Sequence, residues 1–200
     1  MPLTLNSNSF TIGGPSAGLD ETGGLNLIKN NTPWQYIETV TADDSLSLDL
    51  VNSSIRNFDA LYIHFDNINM ANNCESRMQL YLDDAVAVDS YYRSSVDAGS
   101  NTSGTSTGLS GGTYWVYGGA NYTWMRNIVG TMYVNTKVGS IKTCKADLTA
   151  ANSGSNATRM DFGGAFNYHE IKVVTGLKFF NSSGNIMTGQ LHLYGMNKHD

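Results

Sequence analysis

The feature that most constrains the fold is a regular exchange, from Trp34 onward, between short runs rich in Tyr, Ile, Val, Phe and Thr and clusters of Asn, Asp, Gly and Ser. Such runs are typical of β-strands joined by turns, and patterns typical of helices are nearly absent. A spacing of about 10 to 15 residues between runs favours an antiparallel sandwich over alternating strands and helices. The predicted strands are Trp34–Val40, Ser45–Leu50, Ala60–Phe65, Arg77–Leu82, Val86–Arg93, Thr113–Tyr117, Ile128–Asn135, Ser140–Ala146, Glu170–Phe180 and Gly189–Tyr194.

Alternation within these runs predicts which side chains enter the core. Successive side chains of a strand point to opposite faces, so residues two apart share a face. We therefore expect three inward-facing sets, with His192 and Tyr194 on the outer face. The sets are Leu46, Leu48 and Leu50; Leu61, Ile63 and Phe65; and Leu191 and Leu193.

Three segments break the strand pattern. Residues 1–32 mix isolated apolar residues with turn formers and have neither the period of a strand nor that of a helix, so we expect an extended N-terminal arm before a single sandwich domain at 33–200. Asp97–Gly112 has almost no apolar content and is predicted to be a long exposed loop. Ala150–Asn156 is predicted to be a second, shorter loop.

Charge and hydropathy exclude several classes of partner. Charged residues make up 14% of the chain, against about 25% in an average soluble domain, and neutral hydroxyl and amide groups take their place. Such a surface can be buried against neighbours without the cost of desolvating charge. The net charge of −5 includes no basic run suited to phosphates, and no apolar stretch is long enough to span a membrane. The N-terminal residues lack the pattern of a signal peptide, so we expect synthesis and folding in a cytoplasm.

Reactive groups do not form a recognisable catalytic or cofactor motif. Cys74 and Cys144 are too few for a disulfide framework and are expected to be free thiols. No nucleophile elbow, phosphate-binding loop or paired zinc-binding histidines occur, so we predict neither enzyme activity nor a cofactor. Capsule depolymerases need two carboxylates at a fixed spacing, and no convincing pair stands out.

Histidines and acidic pairs are the remaining candidates for chemistry. His64 and His192 are predicted to lie mid-strand on outward faces, without the spacing of metal ligands. Tyr168-His169-Glu170 places an imidazole beside a carboxylate, but neighbours in a strand point to opposite faces. Asp43-Asp44 and Asp83-Asp84 could offer oxygens to calcium, although neither pair has the spacing of a calcium loop and turn formation is the expected role.

An aromatic cluster is the predicted interaction surface. Its members lie between Gly111-Gly112 and the strand at Ile128, in a segment rich in Asn and Gly. Aromatic faces of this kind serve sugar binding and protein interfaces, and they also pack cores. We expect core packing for at least half of the cluster and contact with a neighbour or a glycan for the rest. The members are Tyr114, Trp115, Tyr117, Tyr122 and Trp124.

The C-terminal run VTGLKFFNSSGNIMTGQLHLYG, residues 174–195, resembles the closing hairpin of many bacteriophage tail and virion proteins. Upstream, TPWQYIE at 32–38 and FDALYIHFDNI at 58–68 are similar to the tryptophan strand and tyrosine-rich strand of the same proteins, although only the last 30 residues or so match closely. The hairpin is also expected from the residues alone, since turn formers at 181–185 separate two β runs.

The resemblance implies a building block of a phage particle, without catalytic residues. A fibre shaft is not expected, because the chain has no heptads or long repeats. We therefore expect an all-β, jelly-roll-like antiparallel sandwich with an N-terminal arm, acting as a capsid-surface decoration or cement protein. Its predicted partners are the major capsid protein and copies of itself. We expect a homo-oligomer, with a trimer as the first expectation. A tail or fibre-tip component that binds a host glycan is the alternative, and a free-standing carbohydrate-binding module is the competing class.

Overall fold

A computed structural model of the chain describes residues 34–71, 74–88, 91–99, 102–118, 126–151, 157–166 and 171–197, together with 4–5, 9–11 and 17–18. The chain divides into two compact units, Met1–Gln35 and Tyr36–Asp200. In the first unit, three short strands, β1 (Thr4–Leu5), β2 (Ser9–Thr11) and β3 (Ala17–Gly18), form an antiparallel sheet. The other residues of the predicted arm lie outside the described part, and its boundary at residue 32 stays a prediction.

The second unit is built from strands and one short 3-10 helix, Ser53–Asn57. Asn52 caps this helix, since its Oδ1 accepts a hydrogen bond from the Ser54 backbone N–H at 3.0 Å. Along the described residues there is no α-helix. The strands are β4 (Trp34–Ser45), β5 (Ser47–Val51), β6 (Phe58–Met70), β7 (Ser76–Leu82), β8 (Ala85–Val86), β9 (Tyr91–Gly99), β10 (Thr102–Gly112), β11 (Trp115–Gly118), β12 (Arg126–Asn135), β13 (Lys142–Ala151), β14 (Ala157–Phe166), β15 (Val174–Asn181) and β16 (Ile186–Asn197).

Two antiparallel sheets form a sandwich. The large sheet has the order β10-β9-β14-β13-β12-β6-β16-β4, and the small sheet has the order β11-β7-β15-β5, with β8 paired to β7. From β4 to β7, and again from β14 to β16, successive strands alternate between the two sheets. The sheets pack through apolar contacts such as Phe65 of β6 against Phe179 of β15, whose ring centroids are 5.5 Å apart. The prediction of an all-β, jelly-roll-like sandwich is confirmed.

The alternation rule identified most of the core faces. Leu61, Ile63 and Phe65 of β6 are fully buried, as are Leu191 and Leu193 of β16. Leu48 and Leu50 of β5 are buried as predicted. Leu46 was wrongly placed with them, because it lies at the bend between β4 and β5, where the alternation is interrupted, and it is 79% exposed.

The segment Asp97–Gly112 is not the predicted loop. It contributes the end of β9 and the whole of β10, which pair antiparallel as a hairpin at one edge of the large sheet. Ladder hydrogen bonds join backbone groups and need no apolar side chain, and threonine itself favours strands. Low apolar content therefore did not prevent β structure here. Ala150 and Ala151, the first two residues of the predicted loop at 150–156, belong to β13, and residues 152–156 lie outside the described part.

The two C-terminal strands do not form the predicted closing hairpin. β15 lies in the small sheet between β7 and β5, while β16 lies in the large sheet between β6 and β4. The connection between β15 and β16 passes from the small sheet to the large sheet, and its polar groups form hydrogen bonds with residues at the ends of other strands. Ser182 N–H donates to the Glu75 carbonyl at 2.9 Å, and the Asn185 carbonyl accepts from Ala71 N–H at 3.0 Å. The Asn185 amide also donates to Asp44 Oδ1 at 2.8 Å.

Candidate interaction surface

A row of four tyrosines crosses the outer face of the large sheet. Their strands are neighbours in the order β12, β6, β16 and β4. Consecutive ring centroids are 6.2, 5.9 and 5.7 Å apart, with the ring planes turned by 83°, 62° and 69°. These are edge-to-face contacts, the favourable geometry for aromatic pairs. We call this set the tyrosine row; it consists of Tyr133, Tyr62, Tyr194 and Tyr36.

Strand register brings the row together. Tyr62 pairs directly with Tyr133 on one side and with Tyr194 on the other. Each of these three follows a buried residue and precedes another, so alternation turns it outward. Tyr36 on the edge strand β4 completes the row and is 61% exposed, while Tyr133 at the other end is 44% exposed. The two central rings are half-buried between their neighbours.

Two histidines lie side by side in the next row of the same face. His64 pairs with His192 in register, and their rings are stacked with centroids 5.7 Å apart and planes 20° apart. We call them the histidine pair. The His192 Nδ1 lies 2.7 Å from Thr39 Oγ1, which in turn accepts a hydrogen bond from the Tyr36 hydroxyl at 3.0 Å. The tyrosine row and the histidine pair are therefore linked by hydrogen bonds into one surface.

The Thr39, His192 and Asp66 side chains resemble a hydroxyl, base and acid series, but the geometry does not support nucleophilic catalysis. His192 Nε2 is 3.9 Å from Asp66 Oδ2, which is beyond hydrogen-bond distance. The Asp66 carboxylate is also more than half exposed, so it is solvated and does not fix the imidazole. The contact between Thr39 and His192 joins the edge strand β4 to β16. The hydrogen bond from Gln190 Nε2 to Thr41 Oγ1, at 3.1 Å, joins the same two strands.

An ionic cluster lies to the side of the surface, on β13 and β14. Arg159 Nη2 lies 3.0 Å from Asp147 Oδ2 and 3.4 Å from Asp161 Oδ1, and its side chain is 60% exposed. Asp147 pairs in register with Thr131, which pairs with His64, so this ionic cluster lies two strands from the histidine pair. Lys145 is the register partner of Tyr133 and is exposed.

Trp115, a member of the predicted aromatic cluster, belongs to the core. It is fully buried, its ring packs edge-on against Tyr91 at 5.3 Å, and its indole N–H donates to the Ala165 carbonyl at 3.1 Å. The bonded N–H removes the cost of burying it. Gly164 makes the fit possible, since a Cβ there would lie 2.8 Å from the indole nitrogen.

Tyr114 is half-buried on the small sheet. Its ring lies edge-on to Phe180 at 6.0 Å, and the Arg77 guanidinium carbon lies 4.1 Å from its centroid. Glu75 Oε2 holds that guanidinium through Arg77 Nη2 at 2.9 Å. The stack is a cation–π contact on one face of the small sheet. Tyr114, a member of the predicted interaction surface, is partly accessible.

The other three members of the predicted cluster lie outside what the structure describes. Tyr117 belongs to β11, but its side chain is among those not described, and Tyr122 and Trp124 fall in 119–125. Whether they form a surface stays a prediction. His169 and Glu170 also fall outside the described residues.

The cysteines and the Asp83-Asp84 pair have the expected roles, whereas Asp43 and Asp44 lie within β4, near its end, and not in a turn. Cys74 and Cys144 are free and buried, and burial raises the pKa of both thiols, so neither is an activated nucleophile. Asp83 and Asp84 have positive φ angles of 49° and 69° in the turn between β7 and β8. Hydrogen bonding to the Lys172 ammonium, 2.6 Å away, lowers the pKa of Asp83. Within the described ranges, no three His, Cys, Asp or Glu side chains are grouped to hold a metal ion.

Comparison with known proteins does not assign the chain to a group. No family model, curated protein or solved structure matches it. In the part of the chain that is described, no helix has the length and hydropathy needed to cross a membrane. The tyrosine row was not predicted from the sequence, although one signal for it was there: Tyr62, Tyr133 and Tyr194 each lie between two residues suited to the core.

Proposed function

We propose that the protein is a bacteriophage virion structural protein, and most specifically a capsid-surface decoration protein that binds the major capsid shell and copies of itself. The similarity of residues 174–195 to phage virion proteins supports this proposal, although the strands of that segment lie in different sheets. A rigid sandwich with few charges supports it as well, because such a surface can be buried in contacts at low desolvation cost.

The observation that carries the proposal is the edge strand β10. Thr102–Gly112 ends the large sheet and pairs with β9 on one side, so its other side offers backbone N–H and C=O groups to a further strand. Between Thr105 and Leu109 its pairing is regular, and register shifts are confined to the two ends. The eleven residues include no charge and no proline.

The other sheet edges differ from β10 in ways that discourage strand addition. β4 carries Glu38, Asp43 and Asp44, and β5 carries Asp49. β11 has only four residues. Natural proteins protect exposed edges with charges, prolines, short strands or bulges. β10 is long, has no charge or proline, and has register shifts only at its two ends. A long edge whose central residues pair regularly and carry no charge is expected where a neighbouring subunit covers it in the assembled particle.

Sedimentation and labelling test the proposal together. The purified chain should sediment as an oligomer, and the double variant Thr105→Lys/Thr107→Lys should sediment as a smaller species, because it places charges along the edge. The matched control Thr143→Lys/Thr149→Lys adds the same charges at exposed positions of β13, inside the sheet, and should leave the mass unchanged. Antibody against the chain should label the heads of intact virions; a monomeric chain that is missing from particles would overturn the proposal.

The second candidate function is that of a tail or fibre-tip component that binds a host carbohydrate. The tyrosine row favours it, because exposed aromatic rings beside hydroxyl and imidazole groups suit sugar rings. Labelling at the tail tip, together with binding of the isolated chain to glycans, would favour this candidate over decoration of the head.

A further inference from the structure

We infer that the outer face of the large sheet binds a soluble neutral oligosaccharide, which stacks on the tyrosine row and accepts and donates hydrogen bonds at the histidine pair. The inference deepens the second candidate function and rests on it for the source of the sugar. The site is defined by seven side chains on adjacent strands. These are Tyr133, Tyr62, Tyr194, Tyr36, His64, His192 and Thr39.

The rings provide the apolar part of the site. Sugar rings are apolar on their C–H faces, and these faces stack on aromatic side chains. Tyr133 and Tyr36, at the two ends of the row, are 44% and 61% exposed. Since neighbouring rings are turned by 62° to 83°, the row is ridged and offers separate platforms. A flexible oligosaccharide can follow such a surface, whereas the flat face of a crystalline polysaccharide cannot.

The histidine pair provides the directional part. Sugar hydroxyls need both donors and acceptors, and a neutral imidazole has one of each. Over the described residues, the His64 ring makes no hydrogen bond, and its contact is the stack with His192. Thr39 holds the other ring through Nδ1, and Nε2 of that ring makes no hydrogen bond among the described residues, with Asp66 Oδ2 3.9 Å away. The pair therefore presents unsatisfied ring nitrogens one row from the tyrosines.

The charges on this face select against an acidic ligand. A carboxylate, sulfate or phosphate group is bound by a free guanidinium or an ammonium cluster. Arg159 is held by Asp147 and Asp161, and Asp66 adds a third carboxylate beside the histidine pair. Lys145 is a cation next to Tyr133, and the chain as a whole carries a net charge of −5. A neutral sugar has no charge to desolvate against these carboxylates.

Because the site is rigid, binding a sugar costs little conformational entropy. The tyrosines lie on paired strands, and the two central rings are held between neighbours, so binding orders few side chains. Tyrosine itself has few rotatable bonds for its contact area. The surface is formed before the ligand arrives.

The test uses the full chain and a panel of soluble oligosaccharides, in neutral forms built from glucose, galactose, mannose or N-acetylglucosamine and in acidic forms that contain sialic or uronic acid. Binding is screened on an array and measured by calorimetry with the best neutral hit. Tyr133→Ala and Tyr36→Ala should each weaken binding about tenfold or more, as the loss of an aromatic stack implies. Tyr133→Phe should retain most of the affinity, because it keeps the ring.

Tyr81→Ala is the matched control. It removes a half-buried tyrosine from the small sheet, away from any proposed site, and should leave binding unchanged. Folding of each variant is checked from its unfolding midpoint. No binding to any neutral sugar, a preference for acidic sugars, or equal losses in Tyr81→Ala and Tyr133→Ala would overturn the inference. So would a change of sedimentation mass in Tyr133→Ala without a change in sugar binding, which would identify the row as a protein interface. None of these results depends on where the chain lies on a virion.

Discussion

The hydroxyl of Tyr91 joins the two sheets at one point, and removing it is the most direct test of the packing. Along β7, β11 pairs with Ser76–Met78 and β8 pairs with Tyr81–Leu82, so Leu80 lies in the gap between them. The Tyr91 hydroxyl accepts a hydrogen bond from Leu80 N–H at 2.8 Å and donates one to the Ala87 carbonyl at 3.0 Å. Tyr91 is 1% exposed, so water cannot easily replace it.

Tyr91→Phe keeps the ring and deletes both hydrogen bonds. The ring contacts with Trp115 and Phe166, at 5.3 and 4.6 Å, should persist, so no cavity forms beyond one oxygen atom. The buried Leu80 N–H and the part-buried Ala87 carbonyl lose their partner, and each loss costs about 1–2 kcal/mol, with the larger cost at the buried N–H. We therefore expect the free energy of unfolding to fall by about 2–4 kcal/mol, and the melting temperature to fall by roughly 5–15 °C for a unit of this size.

Urea unfolding followed by tryptophan fluorescence measures the change. The midpoint should fall while the dependence on urea stays constant, because the surface exposed on unfolding is the same. Tyr194→Phe is the control, since that half-buried hydroxyl makes no hydrogen bond within the described residues, and its effect should stay within about 0.5 kcal/mol. A loss below about 0.5 kcal/mol in Tyr91→Phe, or equal losses in the two variants, would refute the reasoning.

Two further predictions concern packing and titration. Gly195→Ala should lower the free energy of unfolding by about 1–3 kcal/mol, because the new Cβ would overlap the ring of Phe58; an unchanged urea midpoint would contradict this. Burial, followed by the hydrogen bond to Asp49 and its charge, raises the pKa of Tyr81 from 10.0 to about 12. The stability contributed by the protonated Tyr81 hydroxyl is therefore complete below about pH 10 and is lost as the pH rises toward 12. Across that pH range, the unfolding midpoint should fall less steeply in Tyr81→Phe than in the unaltered chain. Parallel curves would contradict the assignment.

The sequence predicted most strands in which large apolar residues alternate without interruption. It failed at β14, where glycines interrupt the alternation, and at β10, where apolar residues are nearly absent. Met160, Phe162 and Phe166 of β14 are buried at alternating positions, yet Gly163-Gly164 between them suggests a turn. Packing against the Trp115 ring explains why a glycine is needed there. β10 was missed for the opposite reason, because backbone pairing with β9 leaves no pattern in a run of Thr, Ser and Gly.

The tyrosine row depends on information that alternation does not contain. Alternation predicts that Tyr62 and Tyr194 point outward, but not that their strands are neighbours or that their register coincides. The aromatic cluster at 114–124 was the more visible signal because its members are close in sequence. Trp115 is in the core instead, which shows that closeness along the chain is a poor guide to a shared surface in a sheet with distant pairings.

The position of β6 also affects when the large sheet can be completed during synthesis. This strand pairs with β12 and β16, both of which come from the second half of the chain. Closing such long loops is entropically costly and makes folding slow. During synthesis, β6 must therefore wait for residues as late as Asn197 before both its edges are covered, and until then one of its sides can associate with other nascent chains.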